Sequence, residues 1–367
     1  GIPLNPEVLA AQGAALAAKG RLAQNRLLSA NPTVSASYAV VGERRSVSLQ
    51  QPLNLGGVAP LERGLGRAEL EGAEARLERA RLEAGAAIRV AYVDALVAIG
   101  QREVAEEAVE VSEGRRAAVA AKLEVGEASK LDLRLAILSQ ASSSTWLLDA
   151  QARESEVLRQ LALHVQMPLS AQALVGSPLD AAPWGAERPE GHPRADVRAA
   201  GFALDAADTK AHLAGRRGLP PITVGAFMEQ EEGVTFAGPS LSIPIPLFAR
   251  NQANVGAAEG ERLVAEAQVT GVKAKAEAEI LTAQVRLDGA NKALEGLEDA
   301  LLGEGQAALE SIIFGYDAGE LDLPTALLLQ QQVLKGESAA ITLLGQVAAA
   351  RIDWALALEL PALLGGE

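Results

Sequence analysis

The stretch TVSASYAVVGERRSVSLQQPLNLGG, residues 33–57, decides the fold. Val34, Ala36, Tyr38 and Val40 alternate with Thr33, Ser35 and Ser37; after a polar turn at Gly42-Glu43-Arg44-Arg45, Val47 and Leu49 alternate with Ser46, Ser48 and Gln50. A two-residue period sends successive side chains to opposite faces of a strand, so this segment reads as a hairpin with one apolar and one polar face. A second hairpin, ITVGAFMEQEEGVTFAGPSLSIPIPLF at residues 222–248, sets Ile222, Val224, Ala226 and Met228 against Thr223, Gly225 and Glu229. It turns near Glu231-Glu232-Gly233 and returns with Leu241, Ile243 and Ile245 between Ser240 and Ser242. Alternation over about 9 to 11 residues suits a tilted barrel strand crossing a bilayer, and it also suits an amphipathic hairpin on a soluble sheet. Phe227, Phe236 and Phe248 lie in the second hairpin, where aromatic residues would gather at a membrane interface.

Each hairpin leads into a long helical pattern. Residues 56–122 and 251–317 are both 67 residues, each long enough to extend about 100 Å as a helix. In the first, Leu70, Ala73, Leu77, Ala80, Ala84, Ala87, Ala91 and Ala98 follow a seven-residue spacing, which predicts a coiled-coil seam with small knobs. Such a seam needs partners, and residues 128–163 and 325–358 are predicted to supply them as returning antiparallel helices. The reversals fall at Val125-Gly126-Glu127 and Ala318-Gly319-Glu320. Each Gly stands where a helix C-terminus needs a left-handed residue, and Ser129 or Asp322 is placed to cap the next helix. Helices over 6–28, with Asn5 as cap and Pro6 at the first position, and over 195–216 precede the two hairpins.

The chain therefore repeats one unit: helix, hairpin, long helix, tip, return helix. Pro52 to Pro246 is 194 positions and Gly126 to Gly319 is 193. Residues 1–166 form the first repeat and 193–367 the second; the proline-rich segment 167–192 links them.

Composition narrows the function. Hydrophobic residues make up 49% of the chain and aromatic ones only 3%, so alanine and leucine carry the apolar content and allow close helix packing. No run of about 18 uninterrupted apolar residues marks a membrane-spanning helix. A membrane location would require a closed barrel. The formal charge of −14 argues against nucleic-acid partners. There is no Cys, and His164, His192 and His212 lack metal-ligand spacing, so the expected metal and cofactor content is none. Nothing in the sequence suggests catalysis.

The Asn5-Pro6-Glu7-Val8 opening, the hairpin exits Gln51-Pro52-Leu53-Asn54-Leu55-Gly56-Gly57 and Ile245-Pro246-Leu247-Phe248, and the two Gly-centred tips occur in an order that resembles the TolC family of outer-membrane efflux channels. The Tyr316-x-x-Gly319-Glu320 wording resembles the branch serving heavy-metal and cation exporters. The resemblance implies a mainly helical fold with a β-barrel portion: a homotrimer whose strands share a barrel in outer-membrane lipid and whose helices form a long periplasmic α-barrel. It further implies a passive duct that works with a periplasmic adaptor and an inner-membrane pump. On this mapping Val125, Gly126, Glu127, Ala318, Gly319 and Glu320 dock the adaptor. The family's acidic ring in the second tip would fall on Thr325 and Leu328, so it is absent; Asp132 is the acidic match in the first tip, and Asp322 is a further gate candidate. Val34, Ala36, Tyr38, Val40, Ile222, Val224 and Met228 are expected to face lipid. A type I secretion duct and a coiled-coil periplasmic adaptor or scaffold stand as alternatives.

Overall fold

The computed structural model describes residues 2–24, 31–40, 44–53, 57–180, 193–218, 222–245, 248, 250–301 and 304–364. Parts of the first hairpin's turn, of both hairpin exits (Asn54, Leu55, Gly56, Pro246, Leu247) and of the linker (181–192) lie outside the described residues.

The first half contains α1 (Pro6–Gln24), β1 (Thr33–Ala39), β2 (Arg44–Leu53), α2 (Val58–Glu124) and α3 (Lys130–Val165); the second contains α4 (Ala195–Arg216), β3 (Ile222–Glu231), β4 (Val234–Ser242), α5 (Gln252–Leu301), α6 (Glu304–Asp317) and α7 (Leu323–Ala357). The second long helical pattern is thus described as two helices flanking residues 302–303. Two compact units cut across the sequence halves. One comprises Gly1–Val8, Arg81–Glu190 and Glu277–Glu367, and the other comprises Leu9–Ala80 and Gly191–Ala276.

The second of these units holds the sheet, which is antiparallel in the order β1-β2-β3-β4. Glu232 and Gly233 both take positive φ, 49° and 86°, giving the two-residue turn whose twist matches the β3–β4 strands. Helices in this unit pack through alanine. Ala211, Ala214 and Ala258 form a cluster with Val255, and Gly72 of α2 lies close to Phe202 of α4. Arg21–Glu69 at 3.3 Å and Arg217–Glu62 at 2.9 Å tie exposed helix faces together.

The other unit is built on the second part of α2, and here the predicted heptad is corrected. The buried stripe is Leu82, Val93, Val104 and Arg115, with Ala86, Val97, Ala108 and Val119 beside it, so each line advances by eleven residues. An eleven-residue period is 3.67 residues per turn, which favours the opposite supercoil hand from a heptad. Of the predicted seam, Ala73, Ala84 and Ala98 are buried, whereas Leu70, Leu77, Ala80, Ala87 and Ala91 are only half-buried. Helix α7 shares the new period: Leu323, Leu334 and Gly345 are buried at eleven-residue intervals.

Both predicted partner segments meet α2: α3 packs on it through Ala136 and Trp146, and α7 packs on it as well. The α2 stripe packs on α7 from the other half, in a cluster of Leu82, Ala86, Val93 and Val97 with Ala348, Ile352 and Ala355, closed by Leu360 and Leu363. Gly345 faces Val97 and Gly100 faces Ile341, so the two helices run antiparallel. Gln101 Nε2 donates to Thr342 Oγ1 at 2.9 Å within this contact. Among the described residues, α7 alone is long and apolar enough to cross a membrane by length and composition. Its burial of Val347, Ala348, Ile352 and Ala355 makes it a core helix of this unit.

Candidate functional site: an amphipathic sheet and two helical tips

Strand register assembles the apolar residues of both hairpins into one surface. Directly opposed residues in an antiparallel ladder share a face. Val34 pairs with Leu49, Leu49 with Ala226, and Ala226 with Pro239; the next row is Ala36, Val47, Met228 and Ala237. Towards the helices, Ile222 pairs with Leu53, and Val224 lies between Gln51 and Leu241. The apolar face is uncovered within the chain: Val34 is 69% exposed and Met228 57%. Towards the turns it ends in Tyr38, Arg45, Gln230 and Thr235, with the Arg45 guanidinium 5.5 Å from the Tyr38 ring centre. Val40 lies just beyond the end of β1, in the turn, and is exposed.

The opposite face is polar. Its rows are Thr33, Gln50, Gly225 and Ser240; Ser35, Ser48, Phe227 and Gly238; and Ser37, Ser46, Glu229 and Phe236. Ser37 and Ser46 hydroxyls lie 2.7 Å apart, and Arg44 pairs with Glu229. Phe227 and Phe236, expected to gather at a membrane interface, lie on the polar face of the sheet. Both have the parity of Thr223 and Gly225, or their cross-strand partners, and so belong to the polar face. Tyr38 is the aromatic residue at the turn-side border of the apolar face.

The tips have matching backbones. In the first, Gly126 N donates to Leu123 O at 3.1 Å and Glu127 N to Lys122 O at 2.8 Å; in the second, Gly319 N donates to Tyr316 O at 3.1 Å and Glu320 N to Gly315 O at 2.8 Å. This paired bonding satisfies the last helical carbonyls and requires a left-handed residue, which Gly126 (φ 83°) and Gly319 (φ 78°) supply. Among the described residues, apart from the chain neighbours, nothing lies within 4 Å of a Cβ built at either position. Val125, Glu127, Ala318 and Glu320 are exposed beside them.

The acidic gate candidates are engaged in helix caps. Ser129 accepts from Asp132 N at 3.1 Å while Asp132 Oδ2 accepts from Ser129 N at 2.8 Å, a reciprocal capping box. Asp322 accepts from Thr325 N at 3.0 Å and has Pro324 next in the first turn. Hydrogen bonds from the Thr325 side chain and backbone hold the Asp322 carboxyl below its ordinary pKa. Leu328 is exposed on α7.

Behind the tips lies a group of which the sequence singles out Tyr316 alone. Val119, Ala136, Ile312, Tyr316, Leu323 and Ala326 form a core from α2, α3, α6 and α7. The Tyr316 ring centre lies 4.6 Å from the Arg115 guanidinium and 4.2 Å from the Lys122 ammonium. Burial lowers the Arg115 pKa, opposed by the fields of Asp317 and Tyr316. A polar residue on the apolar stripe at the eleven-residue position after Val104 was the available signal.

Among the described residues, no group of three or more His, Asp or Glu side chains is placed to hold a metal. The site consists of surfaces: an amphipathic sheet and two exposed reversals.

The sequence profile of the outer membrane efflux protein family matches residues 192–359. Over those residues, just under half of the chain, the sequence is similar to that family. It is 28% identical over 243 residues to the nickel-cobalt-cadmium resistance protein NccC of Alcaligenes xylosoxydans xylosoxydans, a match covering 64% of this chain and 54% of that one. The chain thus spans about half the length of the curated relative it matches. Its fold is similar to that of a membrane protein from Pseudomonas aeruginosa (TM-score 0.80, 20% identity, 96% of this chain and 90% of that one). It is also similar to the outer membrane protein VceC of Vibrio cholerae (TM-score 0.77, 19% identity, 96% and 93%). The chain has the TolC-like fold, with a helical portion and a smaller β portion. Its fold is one that solved outer membrane channels have.

Proposed function

We propose that three copies of this chain form a passive exit duct for small solutes across the outer membrane. The observation that carries this reading is the sheet: four strands, one apolar uncovered face, one polar face, and β1 and β4 unpaired at its edges. In hydrocarbon an unpaired strand edge costs several kcal/mol per backbone group, so the sheet must close on others. Pairing β4 of one copy with β1 of the next closes twelve strands with the apolar face towards lipid and the polar face around a lumen. Val34, Ala36, Tyr38, Ile222, Val224 and Met228 then face lipid.

The helices continue the duct into the periplasm, and the tips dock a periplasmic adaptor that links it to an inner-membrane pump. Support comes from two exposed reversals with the same backbone geometry, each open to a partner. The duct itself performs no chemistry. The likeness to NccC supports metal cations among its cargo. A four-stranded amphipathic sheet favours a duct over the coiled-coil scaffold. In planar bilayers the purified protein should produce discrete conducting steps. Absence of steps from detergent-purified, folded protein would overturn the duct.

A further inference from the structure

The geometry points to Phe227 and Phe236 as an aromatic belt inside the barrel that contacts the apolar parts of organic solutes in transit. This rests on the duct reading, since it needs the polar face to line a lumen. Phe227 sits in the row Ser35, Ser48, Phe227, Gly238, and Phe236 in the next row, beside Glu229 with Ser46 and Ser37 beyond. Every directly opposed neighbour except Glu229 is serine or glycine, so the two rings stand above the polar surface around them. The Phe227 ring also lies over Gly238, 3.5 Å from where a Cβ would be, which holds it against the β4 backbone.

Both phenylalanines remain substantially exposed, 37% for Phe227 and 54% for Phe236. Neither fills a core within the chain. Register puts Phe227 between the levels of Ala226 and Met228, and Phe236 between those of Thr235 and Ala237, so the rings lie at the depth of the apolar band and its turn-side border. Closing three copies brings six rings to adjacent levels of one lumen. Aromatic faces bind apolar and cationic organic groups by stacking and quadrupole attraction, whereas a hydrated metal ion keeps its water shell and gains little there. The same duct can therefore pass hydrated cations while transiently holding organic molecules.

The test combines block and accessibility. Tetraphenylphosphonium, an apolar aromatic cation, is added to single channels in planar bilayers. The concentration for half-block should rise about 10-fold in the Phe227→Ser/Phe236→Ser protein, with Ser46→Ala unchanged. An unchanged half-block concentration in the double variant overturns the belt and leaves the duct standing; a wild-type protein that does not conduct overturns the duct itself. The chain has no Cys, so Phe236→Cys carries one thiol. In lipid vesicles a membrane-impermeant maleimide should label it and leave Met228→Cys unlabelled. The reverse pattern in conducting protein contradicts the assigned face. Should the double variant fail to insert, block of the Phe236→Cys channel replaces that comparison, with the same direction expected.

Discussion

Lys122 and Asp317 meet at 3.3 Å, joining the last turn of α2 to the last residue of α6 immediately behind the two tips. Asp317 places a negative charge at the negative end of its helix, and the Lys122 ammonium offsets it. The same ammonium lies over Tyr316, and the Lys122 carbonyl accepts the bond that ends α2. One residue thus links helix termination, ion pairing and ring packing.

Tyr316 should be the costliest residue to truncate in this group. Tyr316→Ala removes a buried ring and the partner of two cations, and is expected to cost about 3–5 kcal/mol; Tyr316→Phe keeps the ring and should cost much less. Chemical denaturation of the detergent-solubilised protein compares them, and equal stabilities would show that the ring does not anchor the tips.

The glycine reversals test docking separately from folding. Left-handed backbone costs a side chain roughly 1–2 kcal/mol, and open space surrounds both positions. Gly126→Trp and Gly319→Trp should leave trimers in the outer membrane while abolishing export and crosslinking to an adaptor. Normal export by these variants would remove the tips from the account.

Glycines inside helices separate contact from propensity. A Cβ at Gly345 would collide with Val97, a stiff β-branched neighbour, so Gly345→Ala is expected to destabilise by about 1–3 kcal/mol. Gly271 has nothing within 4 Å, and Gly271→Ala should be neutral or stabilise by up to about 1 kcal/mol. Thermal melts showing the opposite order would contradict the α2–α7 packing.

Acid should loosen the second tip through Asp322. Its folded pKa is depressed below the ordinary 3.8, so its contribution is complete above about pH 3.8 and is lost as pH falls through the lower folded value. Asp322→Asn removes that titration. Protection of the Thr325 and Ala326 amides, taken relative to their intrinsic exchange at each pH, should then lose its acid dependence; persistence of the dependence would assign it to another group.

Much of this was legible before any coordinates. The two-residue alternation, the Glu-Gly turn and the Gly, Ser and Asp at the reversals each have a direct backbone meaning, and they appear where expected. The helical seam was misread because alanine is so abundant that a seven-residue line can be drawn through almost any α2 face. Only partners reveal that the stripe advances by eleven. One of those partners, α7, comes from the other half of the chain, which spacing within one repeat does not encode. Phe227 was assignable by parity with Thr223 and Gly225, but the expectation of interfacial aromatics obscured it.

Lipid orientation can be probed one face at a time. Arg at Val224, on the apolar face, should impair assembly by about 2–4 kcal/mol if it lies near the bilayer midplane, whereas Arg at Thr223, one residue away on the polar face, should be mild. Heat-stable oligomers in equal yield from both variants would contradict the assigned faces.

Closure of the barrel depends on β4 of one chain pairing with β1 of the next. A density map of the detergent-purified particle measures this directly. The expected map shows a three-fold particle in which twelve strands form a closed ring, with Val34 and Met228 outward and Ser48 and Phe227 inward. A single chain with free β1 and β4 edges, or a ring with the serine face outward, would contradict it.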